Sequence, residues 1–321
     1  MARKRVNRYS GIGGQAVLEG VMMKNQEKYA VAVRKPNGEI AVELENYQGL
    51  LHGSKIKEIP LVLGMKCLNY SASFYEEDEE EEKLNKAADK VSGGHGEKLM
   101  TTLITVISFV FAIGIFVVLP FYLASLLKGY LHNESLMAII EGVIRIAIFL
   151  LYVWGISAMQ DIKRLYRYHG AEHKCINCIE KGRPLTVHNV MRSSRLHRRC
   201  GTSFIFFVLF VSIILFFFIR VDNPVEKVIL RILLMPVIAG ISYEIIRLAG
   251  RTDNIFIRII SAPGMWIQRM TTKEPDKGMI EVAIAAVEAV FDWKKYLYDN
   301  FGYEVDEKWM QEENAEGQAE E

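Results

Sequence analysis

Two short stretches bring together the side chains that carry out metal and acid–base chemistry. The first is Tyr168-His-Gly-Ala-Glu-His-Lys-Cys-Ile-Asn-Cys178 and the second is Leu196-His-Arg-Arg-Cys-Gly-Thr-Ser203; between them they hold three of the four cysteines. On a helix continuing from the apolar run ahead of it, His169 and His173 differ by only about 40° and can both face one metal. Glu172 stands between them in the His-x-x-Glu-His order of the inverted zinc-hydrolase motif, where the carboxylate serves as base toward a metal-activated water. His197 and Cys200 form a His-x-x-Cys pair able to complete the coordination sphere. Two ligand sets are open at this point. His169, His173 and either His197 or Cys200 would leave a position for water, whereas Cys175, Cys178, His197 and Cys200 would make a closed structural site. Gly170 weighs against the first set because it weakens the helix that the set requires. Zinc or another divalent ion is the expected cofactor either way.

Two further groups are weaker candidates. Gly11-Ile-Gly-Gly-Gln-Ala-Val-Leu-Glu-Gly20 suggests a phosphate loop only superficially, since no strand precedes it and no Lys-Ser/Thr follows. A tight backbone turn that points Gln15 or Glu19 at a shared site is the better reading. Glu244 and Arg247 stand where the last apolar run ends, as a further ligand and its counter-ion or an anion-binding group; a snorkelling Arg with a paired Glu explains them equally well.

The elements that must position these residues emerge once the averages are taken apart. The 321 residues carry a net charge of +1, 24 % charged residues and 50 % apolar ones, which describes no real part of the chain. Nearly uncharged apolar runs alternate with blocks of Glu or Arg. Four runs, Thr102 to Leu127, Leu136 to Met159, Phe204 to Ile219 and Val228 to Ala249, are long enough to cross a bilayer, which takes about 20 residues, the third once the preceding Gly-Thr-Ser is added. The second contains Glu141 and Arg145 one helical turn apart, placed to neutralise each other inside a bundle. The fold class expected is therefore mainly α, a polytopic bundle of four transmembrane helices with a small N-terminal β-containing cytosolic module. Residues 160 to 203 hold ten Lys and Arg against three acids, while the connectors at 128 to 135 and 220 to 227 hold one and two. That asymmetry places the long loop and both termini in the cytosol, with the chain in the inner membrane. The basic N-terminus lacks the apolar stretch of a secretory signal, and is expected to be retained. The near-neutral balance gives no reason to expect nucleic-acid binding. The cysteines are too few for a disulfide framework.

The domains expected are a β-containing module at 1–75, an acidic linker at 76–98, the bundle at 99–250 with its loop at 160–203, an interfacial segment and amphipathic helix at 251–300, and an acidic disordered tail at 301–321. In the module, Asn37-Gly38 between two β-rich runs is a strong hairpin signal. Asn254 to Met270 mixes apolar residues with arginines and is broken by Pro263-Gly264, as expected of a segment in the lipid interface. From Met279 to Tyr298 the polar positions Glu281, Glu288, Asp292 and Lys295 form one narrow stripe. The wide apolar surface left over must pack on the bundle, a membrane-protein partner or a second copy.

These residues also carry a resemblance. GGQAVLEGVMM, YHGAEHK, HRRCGTSF, YEIIR, APGMWIQRMTTKEPD and EVAIAA, in that order over about residues 11 to 290, resemble the bacterial YqhQ family, a membrane family defined as domain of unknown function 1385. The resemblance implies a metal-dependent enzyme without an established substrate. It carries Gln15, Glu19, His169, Glu172, His173, His197, Cys200, Glu244 and Arg247 as motif positions. It also implies that Cys175 and Cys178 vary among relatives, which favours the His-rich set. Residues and resemblance together lead to a membrane protein with a cytosol-facing divalent-metal site and Glu172 as general base, hydrolysing a peptide or lipid-linked substrate. The alternatives are a non-catalytic metal-stabilised scaffold or biogenesis factor and, third, a transporter suggested by Glu141 and Arg145.

Overall fold

The structure, a computed structural model, describes residues 9–46, 60–75, 96–127, 129–130, 133–219, 221, 223–251, 254–302 and 305. The acidic linker expected at 76–98 lies outside these residues up to position 95, as does nearly all of the tail expected at 301–321. Four strands come first, β1 Gly13–Val17, β2 Gly20–Asn25, β3 Lys28–Arg34 and β4 Ile40–Asn46. The helices are α1 Pro60–Ala72, α2 Gly96–Ile113, α3 Leu119–Ser125, α4 Glu134–Ile156, α5 Gln160–Glu180, α6 Val187–Met191, α7 Gly201–Phe217, α8 Pro224–Arg251, α9 Ile255–Thr271, α10 Lys277–Val290 and α11 Trp293–Phe301. A π-helical turn, Gly114–Val118, joins α2 to α3. The protein is thus mainly helical with a small N-terminal antiparallel sheet. The chain divides into two compact units, one of residues 1–75, 156–203 and 247–321, the other of 76–155 and 204–246.

In the first unit the strands form an antiparallel meander in the order β1-β2-β3-β4. The glycine-rich stretch read as a turn is a whole hairpin, with Val17 paired to Gly20 and Glu19 at the tip in the left-handed region, φ 52°. At the expected Asn-Gly hairpin the connection is longer than two residues: Gly38 takes φ 90° and the Lys35 N–H donates to the Glu39 carbonyl at 2.8 Å. Both faces of the sheet are covered. Val17, Met22, Val31 and Val33 meet Leu63 and Cys67 of α1, while Val21, Met23, Ala30 and Ala32 meet α5 and α10. Double coverage explains why β2 and β3 read as unbroken apolar runs, Gly20-Val-Met-Met and Tyr29-Ala-Val-Ala-Val, instead of alternating.

The C-terminal elements depart from the sequence reading in two places. Pro263 does not break the chain but lies inside a continuous α9. The beginning of α7 passes so close that a Cβ at Gly264 would fall 2.8 Å from Ser203 Oγ, so this glycine permits the contact. Met279 to Tyr298 is two helices: Phe291 is extended, and Asp292 caps α11 by accepting from the Lys295 N–H at 2.9 Å. The apolar surface expected to pack on the bundle, a partner or a second copy packs against the sheet and α5, with Ile280, Ala283 and Val287 of α10 and Leu297 of α11 fully buried.

The second unit holds the apolar runs. Thr102–Ser125, Ser135–Ile156 and Pro224–Gly250 are each long and apolar enough to cross a membrane. The remaining run, Gly201–Phe217, has only 17 residues even with the Gly-Thr-Ser included. It spans about 25 Å, short of the about 30 Å of hydrocarbon.

Candidate metal centre

His169, Glu172 and His173 all lie on α5, which is a new helix. The chain breaks between α4 and α5, and Met159 at the N-cap is extended. Gly170 does not interrupt the helix. Its missing side chain admits the segment after α9, because a Cβ there would sit 2.0 Å from the Lys273 carbonyl oxygen. The same segment returns a backbone bond, Lys273 N–H to Tyr166 C=O at 2.9 Å.

The ligand atoms of His169, His173 and Cys200 all lie within 4.8 Å of one another, a group able to hold a metal ion. The two rings are 4.4 Å apart. His169 Nε2 is 3.2 Å from Cys200 Sγ, and its Nδ1 is 2.9 Å from the Thr271 carbonyl. His173 Nδ1 is 2.7 Å from the Arg195 carbonyl, and its ring belongs to the same group as the Cys200 sulfur. A carbonyl can only accept, so each Nδ1 carries a proton and each Nε2 turns to the sulfur. A hydrogen bond from the nitrogen that does not face the metal fixes the ring orientation of metal-binding histidines. Burial opposes charge on His169, but the Cys200 thiolate and Glu172 outweigh it and raise its pKa to about 9. Burial likewise opposes the Cys200 thiolate, yet the two rings bring this thiol well below its ordinary value.

Glu172 is buried beside the group. Burial pushes its carboxyl upward, against the opposing pull of His173, His169 and the backbone at Gly14. Its Oε2 is buried with no hydrogen-bond partner among the described residues. A Cβ at Gly14 would come within 2.5 Å of the Met22 carbonyl oxygen and 3.0 Å of Glu172 Oε1. The Gly-Gly-Gln motif therefore meets the His-x-x-Glu-His motif through a glycine rather than through Gln15.

The other candidates are not among the three residues of this group. Gln15 is on the opposite face of β1, its amide oxygen 2.8 Å from where Gly64 of α1 would carry a Cβ. Glu19 is bound through both oxygens by Arg164 and accepts from Tyr168 Oη at 3.1 Å. Cys175 and Cys178 are buried in the apolar core, where burial raises the Cys175 thiol well above its ordinary value. Glu244 and Arg247 are exposed on α8. His197 is buried with its ring 5.6 Å from that of His173, and its Nε2 lies 3.5 Å from Glu180. Burial lowers its pKa, against the opposing pull of Glu180.

Several residues that position the group were not singled out from the sequence. Glu180 is buried; burial opposes its ionisation, but His197, Arg199 and the Ser10 N–H hold its pKa down at about 2. Gln268 grips His197 by its backbone, accepting from the N–H at 2.9 Å and donating to the C=O at 2.6 Å. Asn177 donates to the carbonyls of Ser194 and Leu196, and Lys174 to those of Met191 and Ser193. One signal could have found part of this set: His169, His173, Asn177 and Glu180 recur every three or four residues. A polar stripe of that kind reads as a solvated face, and here it is the face that binds the loop before α7.

A two-faced sheet carrying a helix with a His-His-Cys ligand group, in a chain with long apolar helices, defines a class of membrane-compatible protein with a candidate metal centre. The chain belongs to the family described as "Protein of unknown function (DUF1385)", whose profile matches residues 50–293. It is 36 % identical over 284 residues to the "Uncharacterized protein YqhQ" of Bacillus subtilis (strain 168), covering 85 % of this chain and 89 % of that one. No solved structure matches.

Proposed function

We propose that this protein is a four-span protein of the bacterial inner membrane, with both termini cytosolic, that holds a divalent ion on His169, His173 and Cys200 at its cytosolic face. Glu172 then acts as general base in hydrolysis of a peptide or lipid-linked substrate. The observation that carries this reading is the pair of bonds from His169 and His173 Nδ1 to the carbonyls of Thr271 and Arg195, which leaves both Nε2 atoms directed at one thiol. Two imidazoles and a thiolate are a donor set suited to zinc. Three protein ligands leave a fourth position, the pattern of catalytic rather than structural zinc. An ion bound there supplies Lewis-acid polarisation. Glu172, with an oxygen free of partners among the described residues, accepts and returns the proton. The charge excess of residues 160 to 203 supports the sidedness. The short α7 completes a fourth span through modest local thinning of the bilayer. On α9, Ile255, Phe256, Ile259 and Trp266 are exposed, an apolar face suited to lying in the lipid interface.

The second reading is a metal-stabilised scaffold or assembly factor. It is favoured by the burial of His173, Cys200 and Glu172 and by the way the ligand group ties α5 to the chain just ahead of α7. Metal analysis of the purified full-length protein tests both readings: about one equivalent is expected, lost on His169→Ala or His173→Ala. No stoichiometric metal, or metal indifferent to those changes, removes both. Glu172→Gln separates them, because an enzyme keeps its metal but loses its cellular role, whereas a scaffold keeps both.

A further inference from the structure

The apolar unit has a buried charge of its own. Arg231 of α8 donates through Nη1 and Nη2 to the two oxygens of Glu141 at 2.6 and 2.7 Å. Arg145, one turn along α4, donates to Glu141 at 2.8 Å and to Ser212 Oγ at 3.0 Å. The Glu141–Arg145 pairing expected from spacing is therefore made, but a second guanidinium joins it. Among the described residues, two cations meet one carboxylate, which leaves a positive charge. All three side chains are buried, and each arginine Nε has no hydrogen-bond partner among the described residues. Phe216 lies under both guanidiniums, 5.0 and 4.9 Å from its ring centroid, which eases the charge without neutralising it.

Both arginines line a cavity of about 290 Å³. Its other walls are apolar, with Phe116 and Val117 from the π-helical turn, Phe149 from α4, and Val208 and Leu209 from α7. Turns of that kind recur at functional sites, and this one builds a wall of the cavity. Tyr152, Ile205 and Met235 at its edge are each more than a third exposed. An uncompensated charge in an apolar bundle is costly unless an anion meets it. A bare anion would leave the apolar walls unused, and a neutral lipid would leave the charge unmet.

We propose that this cavity binds a single-chain anionic amphiphile, its acidic head on Arg145 and Arg231 and its hydrocarbon chain against Phe116, Phe149 and Leu209. A fatty acid and a lysophospholipid share this chemistry. The test titrates the full-length protein, stripped of lipid in a non-ionic detergent, with oleate, oleoyl lysophosphatidate and monoolein, and counts bound molecules by native mass spectrometry. One equivalent of oleate or lysophosphatidate is expected, about tenfold or more tighter than monoolein, and the tighter of the two identifies the source. Monoolein binding equally well, or inorganic phosphate displacing oleate at equal concentration, overturns the proposal. Arg145→Met leaves Glu141 and Arg231 as a neutral two-point pair and should weaken acid binding about tenfold or more. Should that variant fail to fold, Val208→Phe fills the cavity without touching a charge and should abolish binding. Unchanged binding in whichever variant folds overturns the proposal.

Discussion

The two units anchor buried polar groups with a different emphasis. Around the ligand group, several side chains are fixed by backbone carbonyls: His169 by Thr271, His173 by Arg195, Lys174 by Met191 and Ser193, Asn177 by Ser194 and Leu196. In the apolar unit Glu141, Arg145 and Arg231 end on one another, and Arg145 also on the Ser212 hydroxyl, which in turn donates to the Leu209 carbonyl. Backbone carbonyls cannot be substituted away, and each one that is engaged fixes the path of a loop, so the first arrangement sets where reactive atoms sit. The second specifies which helices meet, and each member depends on the others.

The comparison is sharpest at Glu141. Glu141→Gln leaves two buried guanidiniums without a carboxylate and should destabilise the protein by about 3–5 kcal/mol, read as a lower unfolding midpoint in detergent. A midpoint equal to that of wild type would mean that the triad does not hold its helices together. In the other unit Gln268→Leu should cost less, about 1–3 kcal/mol, because it strands the N–H and C=O of His197 and the Ser203 hydroxyl. Its distinctive effect should be on the loop that carries Cys200, seen as weakened metal retention at a temperature where the protein is still folded. Gly170→Ala should cost about 1–3 kcal/mol by pushing the Lys273 carbonyl away from α5. Because His169 is held by Thr271, two residues before Lys273, metal retention should fall with it. Loss of stability with metal retention intact would separate the packing of α5 from the orientation of its histidines.

What could be read in advance follows the same division. The apolar helices were legible because their signal is local: length and composition suffice, and only α7 falls short, by residues that no hydropathy pattern counts. The pairing of Glu141 with Arg145 was legible as one turn of helix, whereas Arg231 comes from 90 positions away. At the ligand group, His169, His173 and Cys200 were visible as residue types, and Glu172 as part of a spacing. What was not visible was whatever depends on loops closing. Gly170 looked like a defect and is a close approach. Pro263 looked like a break, yet it stands inside a helix whose neighbour Gly264 accommodates Ser203. His197 carries the right chemistry, but Gln268 and Glu180, distant in sequence, determine its place.

The smallest expected effect tests whether backbone anchoring is general in the first unit. Arg34 of β3 forms an exposed ion pair with Glu281 of α10 at 2.9 Å, and also donates to the carbonyls of Gly38 and Gly278, both at 2.8 Å. If side-chain pairing carried the contact, Glu281→Gln and Arg34→Met would cost the same, since each removes the ion pair. If the backbone bonds carry it, Glu281→Gln should cost under about 1 kcal/mol, as exposed pairs do. Arg34→Met should cost about 1–2 kcal/mol more, because the Gly278 carbonyl, on the first turn of α10, loses its link to the sheet. Denaturant unfolding of the two variants, compared at equal m-value, reads the difference, and equal midpoints would confine backbone anchoring to the neighbourhood of the ligand group.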